Sequence, residues 1–316
     1  MGLLSGSVSV TRFNVVARPV ELAFDEQAFR EIPPGSEVRE SAGFVAFEPG
    51  AGYQTGHQRW PFRVRVDRLA PDATSVAERV RQLVAAEREA TGAPTVGSRR
   101  RRRLRELAEE ELIVRSSPRS RIVEGVVAGD VVYVGSTAKG VLGTVVGLLR
   151  RIGLTAEPKA PWVDRKEQAE SDLLELSEPG QSVLGCRFLA ALAGEPELTF
   201  EPVDGSARLR AGDTRVSLAG AVLGDLLAYL DRGAEVLTAR LTTGEVSFRL
   251  DGTTWRVSAL RVPPGRRDHW AEALDERLEA ITAVFELLDA HYARLDPASR
   301  PAPVRREAHR PQESVN

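Results

Sequence analysis

The chain has 316 residues, 42% of them hydrophobic, and a formal net charge of −2 at pH 7, enough for a large core in one elaborate domain or two or three small ones. Its single cysteine, Cys186, excludes an intramolecular disulfide framework and a cysteine-based zinc site. The start, "MGLLSGSVSV", has no basic n-region and no long apolar core, and no apolar run approaches the ~18 residues of a transmembrane helix, so the expectation is a soluble cytoplasmic protein.

"SGSVSVTRFNVV" (roughly 5 to 16) alternates and predicts a strand. "DEQAFREI" predicts a short helix stopped by Pro33-Pro34-Gly35, and "GFVAFEPGAGY" a strand running into a Gly/Pro turn. "RWPFRVRVDRL" alternates again. Trp60, Phe62, Val64 and Val66 take one face, and Arg59, Arg63 and Arg65 take the other, which predicts a half-buried strand with an arginine-lined outer face. "ATSVAERVRQLVAAEREATG" predicts a helix with a Val76, Val80, Leu83, Val84 stripe and a stop at Gly92. A second helix follows over about 98–114, with Leu104, Leu107, Ala108 and Leu112 inward. "SRIVEGVVAG" and "DVVYVGST" predict two strands joined near Gly129-Asp130, followed by the helix "AKGVLGTVVGLLRRIG".

Residues 155–182 form an acidic, Pro-rich connection with one short helix, and "GCRFLAALAG" fits a helix or a buried strand. "ELTFEPV", "SARLRAG" and "TRVSL" predict short strands, and "AGAVLGDLLAYLDRG" a helix closed by Gly233. "AEVLTARLTTG", "EVSFRLDG" and "TWRVSALRV" predict a meander with glycine turns at 244 and 252. A long amphipathic helix over 268–295 carries a stripe of Trp270, Leu274, Leu278, Ile281, Phe285 and Leu288, and the polar, Pro-rich 297–316 predicts a disordered tail. The expected class is α+β, with mixed or antiparallel sheets and long helices. The expected parts are 1–70, packing with the C-terminal third; a basic region, 71–154; the acidic connection, 155–182; an α/β region with the meander and long helix, 183–296; and the tail, 297–316.

Motifs for chemistry are scarce. His57, His269, His291 and His309 show no metal-ligand spacing and read as surface histidines. "GSTAKG" (135–140) lacks the Walker spacing and its terminal Lys-Ser/Thr, and reads as a strand-to-helix turn with Ser136 or Thr137 as N-cap. GxSxG, HExxH and a dinucleotide fingerprint are absent, and Cys186 sits in the apolar "VLGCRFLAAL" as an inert core thiol. No catalytic residue, metal ligand or cofactor is expected; an enzyme would lack any recognisable constellation.

The informative feature is charge. Sixteen Arg stand against nine Asp+Glu between Arg59 and Arg121, and four Lys+Arg against eleven Asp+Glu between Glu157 and Asp204. Such segregation concerns partners rather than fold. Its extreme is Arg99, Arg100, Arg101, Arg102 and Arg103, with Arg105 following and Glu106, Glu109, Glu110 and Glu111 only afterwards. Arginine at a helix start opposes the partial positive charge there. The Arg102–Glu106 and Arg105–Glu109 pairs have the cation first, the poorer order. Phosphates among these side chains would convert that cost into a gain through counterion release. Arg115, Arg119 and Arg121 extend the candidate patch, as does the strand face of Arg59, Arg63 and Arg65. No aromatic is interleaved with the run, which points to backbone contact rather than base stacking. Two other readings stand beside it: a solvated helix end, and a protein-interaction patch that docks an acidic partner without DNA.

The order of features resembles the RdgC family, the recombination-associated DNA-binding proteins of bacteria, over about residues 1–295. The best-matching stretch is the cation-rich helix leading into "LRELAEEELIVRSSPRSR" and then "GDVVYVGSTAKGVLGTVVGLLRRIG", with Arg115, "VVYV", "STAK" and Leu149-Arg150 at the family's positions. "GSVSVTRFNV", "GFVAFEPGAGY" and "YLDRGAEVLTARL" followed by "EVSFRLDG" also fit. The resemblance implies a homodimeric ring around double-stranded DNA, without sequence readout or catalysis, that restrains the RecA recombinase; the protein would be nucleoid-associated. Two departures stand out: "SSPRS" after Arg115 lacks the family's phenylalanines, and Ala234 replaces a lysine after the helix-closing glycine.

Overall fold

The computed structural model describes residues 2–299 apart from 34–35, 37, 49, 51–52, 54–58, 115, 172, 245 and 263–268. The expectations for Arg115, for His57 and His309, for the Pro34-Gly35 stop and for the tail beyond 299 therefore lie outside the described residues.

In chain order the elements begin with β1 (Ser7–Ala17), β2 (Glu40–Val45), β3 (Arg59–Arg68), α1 (Ala73–Thr91), α2 (Ser98–Ile113), β4 (Arg119–Ala128) and β5 (Val131–Val134). They continue with α3 (Lys139–Arg151), β6 (Thr155–Pro158), α4 (Pro161–Asp164), α5 (Leu184–Ala191), β7 (Thr199–Phe200), β8 (Gly205–Ala211) and β9 (Thr214–Gly220). The last are α6 (Val222–Leu230), β10 (Glu235–Thr243), β11 (Val246–Asp251), β12 (Arg256–Arg261) and α7 (Trp270–Leu295). The class is α+β with a large antiparallel sheet. "GCRFLAALAG" resolves as helix, since its apolar residues recur at helical spacing and bury Leu184, Cys186, Phe188 and Leu189. "DEQAFREI" forms only a four-residue 3₁₀ turn, Phe24–Gln27.

The chain divides into two compact units, one of Met1–Leu22, Gln54–Pro61 and Glu124–Asn316, the other of Ala23–Tyr53 and Phe62–Val123. In the first, β1 serves three ladders: its start pairs with β12, Thr11–Asn14 pairs with β5, and Phe13–Ala17 pairs with β6. The meander β10-β11-β12 forms as its glycine spacing requires, and β8 pairs on the far edge of β10. At its corner a Cβ on Gly185 of α5 would stand 2.0 Å from the Gly252 carbonyl, so the helix approaches the β11–β12 turn only because both residues are glycine.

The α7 stripe from Leu274 to Leu288 is buried in this unit's own core. Trp162, Phe188, Trp255 and Tyr292 cluster edge-to-face beneath it. Burial obliges their polar tips to find partners. Trp255 Nε1 donates to Asp289 at 3.0 Å, and the Tyr292 hydroxyl donates to Glu167 at 2.8 Å. Arg277, also buried, donates to the carbonyls of Leu3, Gly6 and Val262. Ala234, where the RdgC resemblance would place a lysine, is 1% exposed.

Two local expectations are corrected. His291 is buried rather than superficial: its Nδ1 lies 2.9 Å from the Leu287 carbonyl one turn back on α7, and its Nε2 lies 3.6 Å from the Glu197 carboxylate. The N-cap of α3 is Ala138, without a side-chain cap; the Ser136 hydroxyl instead accepts from Ala138 N–H, one residue too early to reach the first helical turn.

In the second unit, β2 and β3 pair antiparallel from Glu40↔Arg68 to Val45↔Arg63. Phe24, Phe44 and Phe62 pack ring on ring beneath them. Helices α1 and α2 form an antiparallel pair whose apolar content is slight: only Val76 is buried on α1, and only Leu104 and Ala108 on α2.

Candidate nucleic-acid interface

Helix α1 begins with Asp72 as N-cap, its carboxylate accepting from Ser75 N–H at 2.9 Å, and ends at Gly92 with φ 65°. Helix α2 begins differently. Gly97 is its N-cap, no side chain caps it, and its first turn has no acidic residue. Backbone N–H groups and arginines thus meet at one unneutralised helix start.

The arginines fall into three groups by what they meet, and the 100° step of the helix sets Arg99 and Arg103 on one face and Arg101, with Arg102 and Arg105, along the groove. Arg100 points along α1, where its Nε and Nη2 donate to the two Glu87 oxygens at 2.8 Å each. With Arg79–Glu111 at 2.6 Å, it closes one seam of the helix pair. Arg102 and Arg105 each reach forward one turn, to Glu106 at 3.1 Å and Glu109 at 2.9 Å, as the spacing predicts. Arg99, Arg101 and Arg103 are exposed, and their side chains make no ion pair or hydrogen bond among the described residues.

The other arginines of the expected patch have partners of their own or follow the far end of α2. Arg63 donates through Nη2 to the carbonyls of Ala46 and Phe47 and lies over the Phe47 ring at 4.9 Å. Arg65 grips Asp67 through Nε and Nη2 at 2.8 and 2.7 Å, over the Phe29 ring. Arg59, at the start of the strand, pairs with Asp275 at 2.6 Å. The outer face of β3 is therefore a row of occupied guanidiniums, which alternation alone does not reveal. Arg119 and Arg121 are exposed, but they follow the C-terminal end of α2, and Arg119 acts on Asp72 at the start of α1. From Arg103 to the end of α2 at Ile113 the helix runs a further ten residues, about 15 Å.

The other seam of the helix pair is open. A groove of ≈ 970 Å³ lies there, with Val76, Ala77, Val80, Val84, Ala85 and Val96 along it. Arg81, Arg88, Arg101, Arg102 and Arg105 also line it, and no carboxylate does. Hydrophobic periodicity locates the valines, but only the antiparallel pairing sets them between two rows of arginine.

Among the described residues no three His, Cys, Asp or Glu are grouped to hold a metal ion, and no helix is long and apolar enough to cross a membrane. Cys186 is buried, and desolvation raises its thiol well above the ordinary value. No protein-family model matches the chain, and no curated protein matches it.

Proposed function

We propose that this protein binds double-stranded DNA without reading its sequence, through the first two turns of α2. The observation that carries the reading is the triple Arg99, Arg101 and Arg103, whose side chains have no partner among the described residues, at a helix start with neither side-chain cap nor acidic first turn. Phosphate oxygens are the ligands that such a site lacks. They accept from guanidiniums and backbone N–H groups alike and relieve the repulsion that the arginines impose on the helix dipole. The absence of aromatic side chains from the run favours backbone contact over stacking.

The reading extends, on the resemblance to the RdgC family, to a homodimer that encloses the duplex, is nucleoid-associated and modulates RecA-dependent recombination by occupying the DNA that the recombinase would use. Because the α7 stripe is buried within its own unit, the dimer contact falls to other surfaces. Fluorescence anisotropy with several random-sequence duplexes across a salt series tests the reading. Affinities should be similar for all sequences, and log Kd should rise with log salt by about 0.9 per phosphate neutralised. Strong preference for one duplex sequence, or binding that ignores salt, would overturn it. Sedimentation of a monomer that still binds DNA at micromolar concentration would remove the dimer.

A further inference from the structure

We infer that the open groove between α1 and α2 docks an amphipathic helix with acidic flanks, supplied by a protein partner. Its floor is apolar: Val80, Val84 and Val96 are only half-buried, and Ala77 and Ala85 are exposed. Three of its arginines, Arg81, Arg88 and Arg101, have no carboxylate partner among the described residues. The opposite seam is closed by Arg100–Glu87 and Arg79–Glu111, so the two helices are clasped along one side only.

An occupant must satisfy both halves of this chemistry. From Ala73 to Arg88 the groove runs about 22 Å, the length of a helix of about four turns. Such a helix would lay leucine-like side chains at i, i+3, i+4 and i+7 onto the valines, and its flanking carboxylates would reach Arg81 and Arg88 on one side and Arg101 on the other.

Other occupants fit less well. The chain's own residues 300–316 carry Arg300, Arg305, Arg306 and Arg310 against Glu307 and Glu313, so the arginines would repel them. A second copy docking by the same face would set these arginines against themselves. Duplex DNA matches the cations but has nothing to cover an apolar floor. Arg101 is common to this groove and the proposed duplex contact; the inference rests on Arg81, Arg88 and the apolar floor and does not depend on duplex binding by Arg99 and Arg103.

The probe is a fluorescein-labelled 14-residue peptide of leucine and glutamate in amphipathic helical order, with a scrambled isomer and a leucine–lysine counterpart as controls. Anisotropy should show micromolar binding of the ordered acidic peptide, and binding at least about tenfold weaker for both controls. Ala77→Gln/Ala85→Gln fills the floor at exposed helical positions without adding charge, and circular dichroism checks that the fold is retained. It should weaken peptide binding about tenfold while leaving random-duplex affinity unchanged. Arg81→Glu/Arg88→Glu should abolish peptide binding. Equal binding of the scrambled peptide, no effect of filling the floor, or no binding by the ordered peptide would each overturn the proposal. So would an equal loss of duplex affinity in the filled variant, which would make the groove part of the nucleic-acid surface.

Discussion

Arg100 and Glu87 clasp each other across the α1–α2 pair, two donors meeting two acceptors at 2.8 Å each. The partner lies thirteen residues away, on another helix, and it removes one arginine from a run that otherwise reads as uniform. The pair also holds the Glu87 carboxyl below its ordinary range.

The arginine run should accordingly divide in a titration. Arg99→Ala/Arg101→Ala/Arg103→Ala should flatten the plot of log affinity against log salt by up to about three units, with all duplex sequences weakened alike. Arg100→Ala should leave that slope as it is in the unaltered protein. The triple variant should melt no lower than wild type, since alanine is the best helix former and repulsion at the helix start is removed. An unchanged slope in the triple variant would identify the run as a solvated helix end.

Asp67 gives the second unit an acid-sensitive bond. It is buried, accepts both donors of Arg65 and is hydrogen-bonded to Ser120, and these bonds hold its carboxyl below the ordinary value of 3.8. A depressed folded value means that the stabilisation is complete above the unfolded value and is lost as pH falls through the folded one. Asp67→Asn should cost about 2 kcal/mol at pH 7, toward the lower end for such pairs because Arg65 is partly in water. The difference between wild type and variant in urea denaturation should shrink steadily below pH 3.8; a gap that persists there would assign the cost to packing instead.

Arg277 anchors the amino-terminal segment. Its guanidinium donates to Leu3 O at 2.6 Å, Gly6 O at 2.8 Å and Val262 O at 3.2 Å. Arg277→Ala strands these carbonyls and should cost about 3–5 kcal/mol in chemical denaturation. Arg277→Lys should recover little of it, because one ammonium cannot span the fork of a guanidinium. Full recovery by lysine would mean that charge rather than geometry holds the segment.

Ala259 lies at an irregularity in the β1–β12 register, between the Val8↔Leu260 and Val10↔Val257 pairs, with φ 52°. A left-handed backbone costs a non-glycine residue about 1–2 kcal/mol, and glycine returns part of that to unfolded-chain entropy. Ala259→Gly should therefore raise the melting temperature by a few degrees. A fall would show that the exposed methyl packs more than the strain costs.

The sequence by itself determined whatever depends on near neighbours along the chain. Helical spacing placed α2 at Ser98–Ile113 within a residue of expectation and paired Arg102 with Glu106 and Arg105 with Glu109. Glycine spacing set the β10-β11-β12 meander, and the apolar run around Cys186 put that thiol in the core. Tertiary structure decided which cations keep no partner among the described residues. Arg63 and Arg65 alternate outward as β3 requires, yet carbonyls, aromatic rings and Asp67 occupy them. Arg119 and Arg121 are near the run in sequence but at the other end of α2 in space. His291 falls on the buried side of α7, which the spacing of four histidines does not disclose. Periodicity reports which face of an element a residue takes, because backbone geometry fixes it locally. It does not report what meets that face: a guanidinium's partner is selected by packing between distant elements, and the arginines at the start of α2 that keep no partner among the described residues are defined by what that packing leaves unmet.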